Sequence, residues 1–201
     1  MAKIKLTKSE LKTQRDALKQ FTRYLPTLQL KKQQLQMEMR SCDERLRANE
    51  KAEKEMRRHL TSWMSLFGTE GCVEQITGCI TLEGIDTERS NIAGVDVPVF
   101  KDARFFIEEY NLFSTELWID DAIDAVKKVI AIKAEHAVIE EQRRLIEREL
   151  RTTTQRVNLF EKVKIPECKE NIRTIQIYLG DQQTAAVGRS KIAKRKMEGV
   201  A

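Results

Sequence analysis

Residues 9–67 read SELKTQRDALKQFTRYLPTLQLKKQQLQMEMRSCDERLRANEKAEKEMRRHLTSWMSLF, and this stretch decides the fold. Apolar side chains recur in it at alternating steps of three and four. One seam runs Leu11, Leu18, Leu25, Lys32, Met39, Leu46, Glu53, Leu60, Phe67, and the other runs Gln14, Phe21, Leu28, Leu35, Cys42, Asn49, Met56, Trp63. A heptad sustained this far specifies a helix that buries a narrow stripe against a partner helix. The partner lies further along the same chain, where Trp118, Ala122, Ala125, Val129, Ile132, His136, Ile139, Arg143, Ile146, Leu150, Thr153, Val157 and Phe160 repeat the pattern with polar interruptions. The chain is therefore expected to be mainly α, a long antiparallel two-helix coiled-coil hairpin. A small β-hairpin or irregular insert is expected at the end remote from the termini.

Residues 1–201 are read as a single domain, with a coiled-coil helix over 9–67, a Gly-rich insert over 68–113 and a second coiled-coil helix over 114–180. A basic tail follows over 181–201, and its composition permits disorder. Charged residues make up 33% of the chain and aromatics only 6%, which suits a thin two-helix interface better than a thick core. The four cysteines form no CxxC pair, and His59 and His136 are far apart, so the reading is a reducing compartment and no metal site. The N-terminus lacks an apolar signal core, and no window reaches the roughly 20 apolar residues that span a bilayer. The expectation is an intracellular chain, soluble by itself.

Local signals refine the boundaries. Thr7-Lys8-Ser9-Glu10 has the capping-box pattern and should start the first helix, and Gly68 with Gly71 should end it. Pro26 lies inside that helix with the seam in phase on both sides, which predicts a bend rather than a break. Near Pro166 the apolar series becomes Ile165, Cys168, Ile172, Ile175, Leu179, displaced by one position from the preceding phase, which predicts a local fault in the second helix. In the insert, 79–83 and 95–100 are read as short strands turned by Asn91 to Gly94, with Pro98 on an edge. Phe100, Phe105, Phe106 and Phe113 are expected to pack them against the end of the helical pair.

One antiparallel register matches the seams throughout. It sets Trp63 against Trp118, Met56 against Ala125, Cys42 against Ile139, Leu35 against Ile146 and Phe21 against Phe160. Glu38 then lies near Arg143, Glu53 near Lys128 and Lys32 near Glu149, whereas a slide of one heptad brings Arg143 to Lys31. Charge thus favours the first register.

Chemistry-bearing patterns are scarce. Neither GxxxxGK[ST] nor GxGxxG occurs, so no nucleotide cofactor is expected. No catalytic constellation is evident; His136 falls on the seam as a packing residue, and Asp120/Asp121 and Glu140/Glu141 read as helix-start and solvated charge. Charge itself is uneven. Residues 1–32 hold nine Lys/Arg against two acids, and Arg189, Lys191, Lys194, Arg195 and Lys196 oppose only Asp181 and Glu198 in the tail. A helical hairpin brings both segments to one end, where Lys12, Arg15, Lys19, Arg23, Arg189, Lys191, Lys194 and Arg195 form a basic contact surface. Charge alone leaves nucleic acid, an anionic membrane or an acidic protein cavity as its partner, so a noncatalytic helical-hairpin adaptor is one reading.

Four blocks carry a resemblance. Ile4-Lys5-Leu6-Thr7-Lys8, Tyr24-Leu25-Pro26-Thr27-Leu28-Gln29-Leu30-Lys31-Lys32, Asn91-Ile92-Ala93-Gly94-Val95-Asp96-Val97-Pro98-Val99-Phe100 and Thr153-Thr154-Gln155-Arg156-Val157-Asn158-Leu159-Phe160-Glu161-Lys162-Val163-Lys164-Ile165-Pro166 resemble the D subunits of V-type (archaeal/bacterial-type) ATPases and ATP synthases. The resemblance runs nearly end to end, and Glu116 departs from it where relatives often have Pro. It implies a noncatalytic central-stalk rotor subunit that needs no cofactor of its own and transmits torque between ATP chemistry in the head and proton or sodium transport in the membrane ring. The implied partners are the catalytic and regulatory head subunits, the small central-stalk F subunit and the cap subunit over the ring. The implied location is cytoplasmic, peripheral to the plasma membrane, and no nucleic acid is expected.

Overall fold

The computed structural model describes residues 4–63, 80–108 and 119–198. Helix α1 spans Lys8–Trp63, strands β1 and β2 span Ile80–Ile92 and Val95–Ile107, and helix α2 spans Ile119–Leu159. A π-helical turn over Phe160–Lys164 leads into helix α3, Ile165–Glu198. Trp118, Phe113 and the side chain of Trp63 lie outside the described residues. The chain divides into two compact units, one made of Met1–Lys32 with Thr152–Ala201 and the other of Gln33–Arg151.

Helix α1 starts where the capping signal places it. The Thr7 hydroxyl accepts the Glu10 amide at 3.3 Å, and the Thr7 carbonyl accepts the Leu11 amide at 3.0 Å. Only this half of the box forms, because the Glu10 carboxylate accepts from Gln14 Nε2 at 2.9 Å instead. The helix then runs through Pro26, whose missing N–H leaves the Thr22 carbonyl without its usual donor on an exposed face.

In the unit of residues 33–151, α1 and α2 run antiparallel. Asp43 meets Arg143 at 2.9 Å, while Asn49, further along α1, meets Glu135, further back along α2, at 3.1 Å. Leu35, Cys42 and Leu46 from α1 close with Ile139 and Ile146 from α2, and Leu35, Cys42 and Ile146 are entirely shielded from water. Val97 of β2 belongs to the same cluster, with Ile92, Ala93 and Val95 packed around it.

That contact puts the tip of the insert on the cluster of Leu35, Cys42, Leu46, Ile139 and Ile146 through Val97, whereas the expected phenylalanine packing includes Phe113, which lies outside the described residues. Phe106 remains 51% exposed, and Phe100 and Phe105 are half-buried. The strands also outrun the expected short ones. They pair from Ile92↔Val95 back to Ile80↔Ile107, with register shifts at Leu82/Gly84 and Asp86/Thr87 that break the period-two pattern visible in the sequence. Ala93 and Gly94 have φ of 51° and 80°, the two left-handed residues of a tight hairpin turn. Asn91 fixes that turn, accepting the Gly94 amide at 3.0 Å and donating to Asp96 at 2.6 Å.

In the unit of residues 1–32 and 152–201, α1 runs antiparallel to the C-terminal helices. The Phe21 and Phe160 rings lie 5.0 Å apart with a 46° tilt, and Asn171 donates to Gln14 at 3.4 Å. Val157, Cys168 and Ile175 are buried. The step from Val157 to Cys168 carries the one-residue displacement seen in the sequence, and the π turn accounts for it. There the Ile165 amide closes on the Phe160 carbonyl, five residues back, so one extra residue fits into a turn without rotating the seam away from α1. Pro166 follows directly and has no N–H to pull the turn back to α geometry.

The tail is helical to Glu198, although its composition permits disorder. Ala, Lys, Arg, Met and Gln are strong helix formers, and Gly180 and Gly188 interrupt the run without ending it.

Deleting one residue at two places separates these roles. Removal of exposed Lys162 takes the surplus residue out of the π turn, and the melting temperature is expected to stay within about 3 °C of the parent. Removal of exposed Glu147 throws α2 out of phase and should lower it by roughly 10 °C or more, read by circular dichroism.

Candidate functional surface

Among the described residues no group of His, Cys, Asp and Glu is arranged to hold a metal ion. His136 is largely shielded, with Nδ1 at 3.9 Å from Glu140 on the same helix. Cys42 and Cys168 are buried free thiols. Burial, reinforced by the Glu167 charge, pushes the Cys168 thiol up from its ordinary value, which leaves it protonated and unreactive at neutral pH.

What the surface offers is charge. Lys12, Arg15, Lys19 and Arg23 are all exposed on α1. Arg15, Lys19 and Arg23 follow one another at four-residue steps and, with Leu18 and Thr22, line an open groove of about 560 Å³. Arg189, Lys191, Lys194 and Arg195 are exposed on α3, and of these four, among the described residues, only Lys194 has a near acid, Glu198 at 3.6 Å. Helical spacing spreads them around the helix, so the tail is basic on several sides.

The register residues fall as follows. Phe21 and Phe160 stack, as described. Arg143 binds Asp43, not Glu38, and so lies at the rim of the interface. Glu53 accepts from Arg57 of its own helix at 2.8 Å. That hydrogen bond, with the Arg57, Lys133 and His136 charges, holds the Glu53 carboxyl below its usual value despite some opposing desolvation. Its contribution is therefore present at neutral pH and lost on acidification through the folded-state value.

The shift of Arg143 to the rim has a cause that periodicity does not show. Gln142 takes the interior place beside it, 1% exposed, and its Nε2 donates to the Pro98 carbonyl of β2. Helix α2 meets both α1 and the β-hairpin, so its buried face is wider than a heptad seam and takes in Ala134, Val138, Ile139, Gln142 and Ile146. A glutamine between two seam isoleucines is the available signal. Asn49 is the matching polar residue on α1, donating to Glu135 while its Oδ1 has no partner among the described residues.

Fold and surface together define a coiled-coil interaction protein. Residues 10–195 match the family described as the ATP synthase D subunit. The V-type ATP synthase D subunit of Borreliella burgdorferi is 45% identical over 197 residues, covering 98% of this chain and 96% of that one. The D subunit of Chlamydia muridarum is 37% identical over 98% of this chain and 97% of its own, and that of Chlamydia pneumoniae 33% over 97% and 93%. The chain belongs to the ATP synthase D-subunit family. No described helix is long and apolar enough to cross a membrane.

The Arg143–Asp43 pair is about half exposed on both sides, so a double-mutant cycle with Arg143→Ala and Asp43→Ala should give a coupling of about 0.2–1 kcal/mol in urea unfolding, and one that shrinks in salt. A cycle of Arg143→Ala with Glu38→Ala should give none.

Proposed function

We propose that this chain is the noncatalytic central-stalk subunit of a rotary V-type ATPase or ATP synthase, transmitting torque between the ATP-handling head and ion transport at the membrane ring. The observation that carries this reading is the end-to-end family match, from residue 10 to 195, with relatives named as D subunits of V-type ATP synthases. The helical pairs supply what the task needs. A lone exposed helix is marginal in water, whereas a helix locked along a seam resists twisting and unwinding. The nucleic-acid or membrane adaptor reading has no support among these relatives.

In this reading the catalytic and regulatory subunits surround the end that carries Lys12, Arg15, Lys19, Arg23, Arg189, Lys191, Lys194 and Arg195. The small F subunit and the cap subunit over the ring bind other surfaces of the chain. The complex sits on the cytoplasmic face of the membrane. Basic side chains suit a cavity lined by acids, and ionic contacts without tight interlocking suit a surface that must turn.

Gentle lysis and pull-down of the tagged chain should recover ATPase head subunits and a small stalk subunit; recovery of the chain alone would refute the proposal. In the assembled enzyme, a crosslinker placed by Ser190→Cys should reach head subunits and one placed by Glu88→Cys should not. Reversing Arg189, Lys191, Lys194 and Arg195 to Glu together should lower ATP-driven ion transport by about tenfold or more while the isolated chain keeps its helical content.

A further inference from the structure

We infer that Gln142 is a latch: a positioning residue that holds the β-hairpin on α2 through the Pro98 carbonyl, and that lets the β-hairpin lift away without melting the helices beneath it. The inference concerns one chain alone and does not rest on the rotor reading.

Gln142 is an expensive residue where it stands. It is 1% exposed, and although Nε2 donates to Pro98, its equally buried Oε1 has no partner among the described residues. An apolar residue of that size would pack between Ile139 and Ile146 without stranding an acceptor. What the amide adds is directed entirely at β2.

Pro98 is built to receive it. In an antiparallel ladder, successive residues point their N–H and C=O alternately toward the partner strand and away from it. Pro98 pairs with Arg89 and has no N–H to give, which suits an outward-pointing position; Val97 and Ser90 then form the hydrogen-bonded pair beside it. The Pro98 carbonyl therefore faces off the sheet edge, and Gln142 supplies the donor it lacks.

Among the described residues, the tip of the β-hairpin meets the helical core through Ile92, Ala93, Val95 and Val97, while Thr87 to Asn91 face water and the cross-strand pairs Asp86–Arg104 and Glu88–Lys101 lie on the surface; further along β2 only Ala103 is buried. Two strands alone are marginal, so the β-hairpin depends on docking. The helices do not depend on it in return, because Leu35 and Cys42 still face Ile139 and Ile146 once Val97 leaves. Such asymmetry is what separates a locally opening segment from the core.

Hydrogen exchange on the full-length chain tests this. In Gln142→Met, which keeps the side chain's reach and removes the donor, the ladder amides of Ser90, Ile92 and Val97 should exchange about tenfold faster, while amides around Cys42 and Ile139 keep their rates and the melting temperature does not fall. Unchanged exchange in the β-hairpin, or acceleration of strands and helices together, would overturn the inference. The unsubstituted chain gives an independent reading if that variant does not fold. In dilute urea its ladder amides should open with a smaller denaturant dependence than the helical amides, and a single common opening for both would sink the latch.

Discussion

The unit of residues 33–151 depends on one closure, Leu35 and Cys42 of α1 against Ile139 and Ile146 of α2. These side chains are almost wholly removed from water, and a large-to-small change at any of the three aliphatic ones would cost about 2–5 kcal/mol. With 33% of its residues charged, the chain has few such positions to spare. The surrounding polar contacts decide how the seam is aligned more than how strongly it holds. Arg143–Asp43 and Asn49–Glu135 are each modest in energy, yet each is satisfied in one register.

The family to which the chain belongs gives that economy a meaning. A subunit whose chemistry is done by neighbouring chains needs no catalytic pocket; it needs persistence of shape and a surface its neighbours can push on. The helical pairs supply the first. Under the proposed function, exposed cations on α1 and α3 supply part of the second.

Much of this is legible in the sequence, and the exceptions share a cause. The helices, the Thr7 cap, the Asn91 turn and the Phe21–Phe160 pairing follow from local chemistry and period. A heptad misplaces Arg143 because it assumes one partner, and α2 has two. The strands read too short because bulges at Leu82/Gly84 and Asp86/Thr87 reset an alternation that the sequence records only in fragments. The β-hairpin's contact with the helical cluster is hidden because Val97 contributes one side chain to a core whose other members are dozens of residues away. Helical order beyond Gly180 is easily underweighted, because high charge signals disorder more readily than the helix propensity of Lys, Arg, Ala and Met signals order.

The π turn at Phe160–Lys164 has a rotational consequence. One α-helical residue is about 100° of turn, so the same residues wound as regular α-helix through 160–164 would present everything after Pro166 at a different azimuth. With the π turn, Cys168 and Ile175 keep facing α1, and the directions in which Arg189, Lys191, Lys194 and Arg195 project are set by the same stroke. The angular timing of the tail is thus written about 25 residues upstream of its charges, in a turn that carries no buried residue of its own.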